Sequence, residues 1–148
     1  MDSQELDQKV RQHVYEVALA TGAPPAVSAV AHVLGIARDV AEGSFRRLAD
    51  GHVLVLQPES REILMAPPFS AVPTPFLVRT AEYSCFANCV WDALGVAAML
   101  QTDIQIETSC QDCGNPMSVA VRSGDVSPDG LVHFAVPAKE WWADIVFT

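Results

Sequence analysis

Positive charge is scarce in this 148-residue sequence. Nine Lys and Arg face eighteen Asp and Glu, a formal net charge of −9. Neutralising nucleic-acid phosphates or an anionic lipid surface draws on Lys and Arg, so this balance argues against a general nucleic-acid or membrane-surface binder. The shortage is deepest in the second half, where residues 69–148 carry only Arg79, Arg122 and Lys139. Long apolar runs are lacking too, and none reaches the roughly 18 residues of a membrane helix. The polar, acidic opening has no basic segment leading into an apolar one, so no secretory signal is expected and the expected location is cytoplasmic. There is no P-loop, GxGxxG, HExxH or GxSxG motif, and no internal repeat. Cysteines number four; in a reducing compartment they read as free thiols, metal ligands or catalytic groups rather than structural disulfides.

What the sequence has in quantity is apolar material. Half the residues are hydrophobic and 18% are charged, enough for one domain or two small lobes sharing a core. Val10, Val14, Val17 and Ala18 recur at helical spacing, which predicts a helix over residues 8–20, closed by Gly22. Pro24 and Pro25 open a second over 26–34, with Val27, Val30, Val33 and Leu34 facing inward. A third runs over 38–50, burying Val40, Phe45 and Leu48, with Gly51 in the C′ position. Strand-like runs at 53–56 and 62–65 flank the turn-forming residues 57–60. Helix, helix, Gly turn, helix and hairpin is a winged helix-turn-helix pattern. The third helix offsets Arg38, Arg46 and Arg47 with Asp39, Glu42 and Asp50, so it lacks the basic footprint of a DNA reader. The Pro-rich residues 66–75 predict a lobe boundary. Strands follow at 76–78, 104–108, 117–122 and 131–136, with a turn at 127–130. The expected fold class is therefore α+β: a winged-helix-like lobe, 1–68, packed on an α/β lobe, 69–148, with a mixed or antiparallel sheet and a buried Cys-bearing helix.

That helix, predicted over residues 84–100 with Ser84 as its cap, carries the expected chemistry. From Val90 to Leu100 it is apolar except for Asp92, and an all-round apolar helix is a buried one. A buried carboxyl must be paired or hold its proton. Cys89 stands three residues before Asp92, one turn away on the same face, and Cys85 lies four residues before Cys89. A thiolate is a soft ligand and a strong nucleophile, and an acid with a raised pKa can protonate a leaving group. The plainer alternative is a buried Cys beside an Asp that bonds a backbone N–H or Arg79. Cys110 and Cys113, a CxxC followed by Gly114, look like half of a zinc knuckle; with Cys85 and Cys89 they offer four sulfurs for a tetrahedral Zn²⁺. His133 is read as a sheet histidine, and Trp141–Trp142 as sealing a core or an interface.

In order, residues 69–74, 88–94, 109–116, 132–134 and 141–148 resemble the organomercurial (alkylmercury) lyases, including their winged-helix-like N-terminal lobe. The most specific part is the Cys-x-x-Asp helix followed by Ala93 and Leu94. The resemblance implies mercuric-ion binding and mercury resistance, with Cys89 as a catalytic mercury ligand, Asp92 as the proton donor and Cys110 as a structural cysteine. It implies an organomercurial substrate, no required cofactor, and a mercuric reductase as acceptor of the Hg(II) product. The family's second catalytic cysteine falls just after a segment like residues 141–148, where this sequence ends. The expectation is then a lobe truncated at its C-terminus, a substitute sulfur from Cys85 or Cys113, or a protein without turnover. A non-catalytic mercury- or zinc-binding protein and a winged-helix regulator are the alternatives.

Overall fold

A computed structural model describes residues 2–146. Three helices come first: α1 (Ser3–Thr21), α2 (Val27–Leu34) and α3 (Arg38–Asp50). Asp2 caps α1 by accepting from the Glu5 N–H at 2.8 Å, which starts the helix several residues before its apolar stripe begins. α2 and α3 bury Val27, Val30, Ala31, Ala41, Phe45 and Leu48, whereas Val33 and Val40 are exposed. Val27, Val30, Phe45 and Leu48 face inward as expected and Leu34 packs against the same core, but Ala31 and Ala41 take the inward places expected of Val33 and Val40. Gly51 follows α3 at φ −83°, and the left-handed residue is His52 at φ 60°.

Eight strands follow in one antiparallel sheet: β1 (Val55–Leu56), β2 (Ile63–Ala66), β3 (Phe69–Ser70), β4 (Leu77–Arg79), β5 (Ser84–Ala87), β6 (Ile104–Ser109), β7 (Pro116–Arg122) and β8 (Asp125–Ser127). Their order across the sheet is β1-β2-β3-β5-β4-β6-β7-β8. A single helix, α4 (Val90–Leu100), lies between β5 and β6, and a 3₁₀ helix spans Ala138–Ala143. Two hydrophobic clusters fill the interior. One joins Leu6, Val10 and Val14 of α1 to α2, α3, Leu54 and Ile63; the other joins Ala18 to Phe69, Val78, Cys85 and the inner face of α4. Helix α1 contributes to both, and the sheet runs continuously past the proline-rich stretch, where β3 bridges β2 and β5.

Three expectations are corrected here. Residues 84–100 do not form one helix. Ser84–Ala87 is strand β5, paired with β3 on one edge and β4 on the other, so its backbone groups are satisfied in the sheet. Nor is α4 buried on every side, although its residues are apolar all round except for Asp92. It turns Ala93, Val96 and Ala97 to the sheet, and leaves Trp91 55% and Met99 46% exposed. Residues 131–136 form no strand: β8 ends the sheet, and Leu131 is fully exposed. That tail instead packs through rings, with Phe134 against Trp91 and Trp141, and Trp142 stacked on His52 at 4.2 Å.

Along α3 two of the three arginines, Arg38 and Arg47, are engaged by acids. Arg38 contacts Glu42 and Glu62, and Arg47 is clamped by Asp7 at 2.7 Å. Among the described residues no helix is long and apolar enough to cross a membrane.

Where α1 meets the sheet, Gly22 ends the helix at φ +82°. A Cβ there would sit 2.7 Å from Tyr83 Cδ2 and 2.8 Å from Cys85 Cβ. Gly22→Ala therefore combines left-handed strain with overpacking, an expected loss of about 2–4 kcal/mol. The midpoint of thermal unfolding should fall by several degrees; an unchanged midpoint would contradict this packing.

Candidate active site

Because β5 ends at Ala87, the chain must turn before it can start α4, and Asn88 and Cys89 make that turn. Cys89 is the N-cap of α4, with extended backbone at φ −152°, ψ −179°. Its Sγ accepts from the Asp92 backbone N–H at 3.5 Å, in the place where Ser, Thr, Asp or Asn usually satisfies an orphan helix donor. Asp92 is in the first turn, where the helix dipole favours negative charge. Its carboxylate accepts from Asn88 Nδ2 at 2.9 Å. The same amide lies 3.5 Å from the Phe69 carbonyl, and Asn88 Oδ1 is buried without a hydrogen-bond partner. Arg79 is engaged elsewhere, in a salt bridge to Glu107 at 2.7 Å.

Burial raises both reactive groups. It lifts the Asp92 carboxyl above the ordinary Asp value, against the opposing hydrogen bond from Asn88. Burial also lifts the Cys89 thiol, opposed by backbone N–H groups of Asp92 and Trp91 and reinforced by the Asp92 charge. Both groups are thus biased towards holding protons, within one helical turn of each other. The Asp92 charge also raises the Tyr15 phenol, which burial alone already pushes up. The Tyr15 hydroxyl donates to the Pro67 carbonyl at 3.1 Å.

Two clefts flank Trp91. One, about 460 Å³, is lined by Pro67, Pro68, Trp91, Asp92, Gly95, Ala98 and Met99. The other, about 560 Å³ and mostly apolar, is lined by Trp91, Phe134, Val136, Pro137, Ala138 and Trp141. Cys89 lines neither. The Trp141 indole N–H donates to the Val136 carbonyl at 3.0 Å, which fixes one wall.

The remaining cysteines lie apart from this pair in character. Cys85 is 3% exposed on β5 within the second core cluster, not on a helical face shared with Cys89. Burial pushes its thiol up to about 11. Cys110 and Cys113 occupy the tip between β6 and β7. All four are free thiols. The expected four-sulfur zinc site is not assembled: among the described residues no three His, Cys, Asp or Glu groups gather as a metal site. The reason is the strand at 84–87, which turns Cys85 into the core. Still, Cys89 and Cys110 leave the sheet at the same end. Cys85 and Ile106 both stand opposite Val78, and the chain reaches Cys89 and Cys110 four residues after each, just beyond the ends of β5 and β6. Asn88, Trp91 and Phe134 lie in the family-like stretches but received no role from the sequence; for Asn88 the i, i+4 spacing to Asp92 was the available signal. Of the segment aligned at 141–148, residues 147 and 148 lie outside the described residues.

Asp92 supplies a direct test. A carboxyl whose folded pKa is raised binds more protons in the folded state, so the folded protein gains stability as pH falls through that raised value. Asp92→Asn removes the buried charge. It should therefore stabilise the fold at pH 7–8, with the advantage shrinking as acid protonates the wild-type carboxyl. Denaturant titrations from pH 8 down to about pH 4, the ordinary carboxylate range, check this; an advantage that stays constant over the whole span would contradict it.

Residues 69–148 match the family model of the alkylmercury lyases, MerB. No curated protein matches the sequence. Among solved structures, the chain resembles one described as the mercury-bound form of MerB2, with a TM-score of 0.63 and 21% identity. That likeness covers 81% of this chain and 59% of the other, so the chain spans about three-fifths of that structure's length, and at this identity the likeness is one of fold. The family match takes in more than half of the sequence and includes the helix that carries Cys89 and Asp92: the chain belongs to the alkylmercury lyase family.

Proposed function

We propose that this protein is an organomercurial lyase that cleaves carbon–mercury bonds by protonolysis, with Cys89 as mercury ligand and Asp92 as proton donor. The observation that carries the reading is the shared first turn of α4, where the Cys89 sulfur accepts the Asp92 N–H and burial holds the Asp92 carboxyl towards its protonated form. In this reading residues 1–68 are a winged-helix-like lobe and 69–148 the catalytic lobe. The location is cytoplasmic, and a mercuric reductase is the proposed acceptor of the product.

The chemistry follows from softness and proton supply. In a compound R–Hg–X, the Cys89 sulfur bonds to mercury, its thiol proton leaves and X⁻ departs. The Asp92 carboxyl then gives its proton to the carbon as the carbon–mercury electron pair moves onto that proton. R–H leaves, Asp92 remains as carboxylate, and Hg(II) stays on sulfur. A raised carboxyl pKa favours the acid form that this step consumes. Asn88 suits both states of Asp92. Its Nδ2 donates to the carboxylate, and a 180° turn of the amide would let Oδ1, which has no partner, accept from the acid. The cleft that Asp92 lines together with Pro67, Pro68, Trp91 and Met99 suits the organic group. Cys85 is a poor second sulfur in this scheme, because it is packed in the core beside Val78 and Ala18; excess small thiol supplies one in solution.

Purified protein given a simple alkyl- or arylmercury in excess thiol should release the hydrocarbon. Cys89→Ser should abolish release, and Asp92→Asn should slow it by about 100-fold or more, the usual contribution of a positioned acid. Gas chromatography of the headspace measures both. Wild-type protein that releases nothing at high enzyme concentration would overturn the proposal.

A further inference from the structure

The tip between β6 and β7 holds the two thiols that the site at α4 does not use. β6 and β7 pair continuously from Ile104 opposite Val121 to Ser109 opposite Pro116, so the six residues 110–115 are fixed at both ends. Within them the Cys110 N–H donates to the Asn115 carbonyl, and the Gly114 N–H donates to the Cys110 carbonyl, both at 2.8 Å. Gly114 takes the left-handed φ of +73° that closes so tight a loop. The backbone N–H groups of Cys113 and Asp112 and the thiol of Cys113 all face the Cys110 sulfur, and together they hold its pKa below the ordinary thiol value. Cys113 is exposed and Cys110 half-buried, so the pair opens to solvent.

Two neighbouring thiols on a hydrogen-bonded hairpin tip offer the two donors of a bidentate sulfur chelate. The number of ligands selects what it can hold. Structural Zn²⁺ takes four ligands, and no third His, Cys, Asp or Glu gathers with these two among the described residues. A soft cation content with two sulfurs needs nothing more. We infer that Cys110 and Cys113 form a second, surface thiophilic site that takes a two-coordinate soft cation such as Hg(II), independently of Cys89. Binding forms two sulfur–metal bonds and releases the two thiol protons to solvent, with no change of oxidation state. The net charge of −9 favours approach of a cation.

The test uses the full chain with Cys89→Ser, a substitution that keeps a good N-cap on α4. Mercuric chloride is added with millimolar glutathione, a monothiol that strips singly coordinated Hg(II), and retained metal is counted by native mass spectrometry. The Cys89→Ser protein should retain one Hg(II) per chain, and the protein also carrying Cys110→Ser and Cys113→Ser should retain none. In the unmutated protein, Hg(II) should protect Cys110 and Cys113 together from iodoacetamide, read by peptide mapping. The inference is overturned if Cys89→Ser retains no Hg(II), if the triple variant retains as much, or if both cysteines alkylate at full rate in the presence of Hg(II). Zn(II) held as firmly as Hg(II) would overturn the two-coordinate assignment.

Discussion

The backbone of Ser84–Ala87 is hydrogen-bonded along both edges, to β3 and to β4, and that double pairing decides where α4 can begin. A helix could not start at Ser84 without breaking two ladders. The chain therefore leaves the sheet at Ala87, turns through Asn88, and presents Cys89 as the first group able to satisfy the new helix's free N–H groups. One constraint thus puts a sulfur at a helix N-terminus, a carboxyl in the turn after it, and an asparagine able to hold that carboxyl from the strand side. It also sends Cys85 into the core and away from any role in that turn.

The arrangement is one of opposed tendencies. A helix N-terminus and its N–H groups favour thiolate and carboxylate, while burial favours thiol and acid, and burial has the larger effect on both Cys89 and Asp92. A buried acid is a cost to the fold at neutral pH. In the proposed protonolysis it is also what proton delivery to the carbon requires, so on that reading stability and chemistry pull in opposite directions at Asp92. The CxxC tip obeys the contrary logic. There, hydrogen bonds from N–H groups outweigh the desolvation of a half-buried thiol, and its pKa moves downward.

The surroundings of the site come from far along the chain. Pro67 and Pro68 wall one cleft, and Phe134 and Trp141 wall the other, with Trp91 between them. The tail that supplies Phe134 has no strand partner. It is held by ring contacts to Trp91 and to His52 on the helical side of the molecule, so the N-terminal helices help to place the wall of a cleft formed by the other end of the chain.

Much was legible in the residues themselves. The three N-terminal helices follow from apolar spacing and flanking Gly and Pro, because helix ends and amphipathic faces are local properties. The ordered motif from Phe69 onward pointed to the right family, and the Cys89–Asp92 spacing marked the pair, because three residues within one turn need no tertiary information. What lay outside the sequence was whatever depends on partners distant in the chain. Ser84-Cys85-Phe86-Ala87 is compatible with helix or strand, and only pairing with Phe69–Ser70 and Leu77–Arg79 made it a strand. Residues 131–136 alternate as a strand would, yet no edge receives them, since β-structure exists only where a second strand meets it. The four cysteines looked like one set by number and spacing. Tertiary structure divided them into a core thiol, a helix cap and a pair at a hairpin tip, because direction and burial belong to the fold and not to the count.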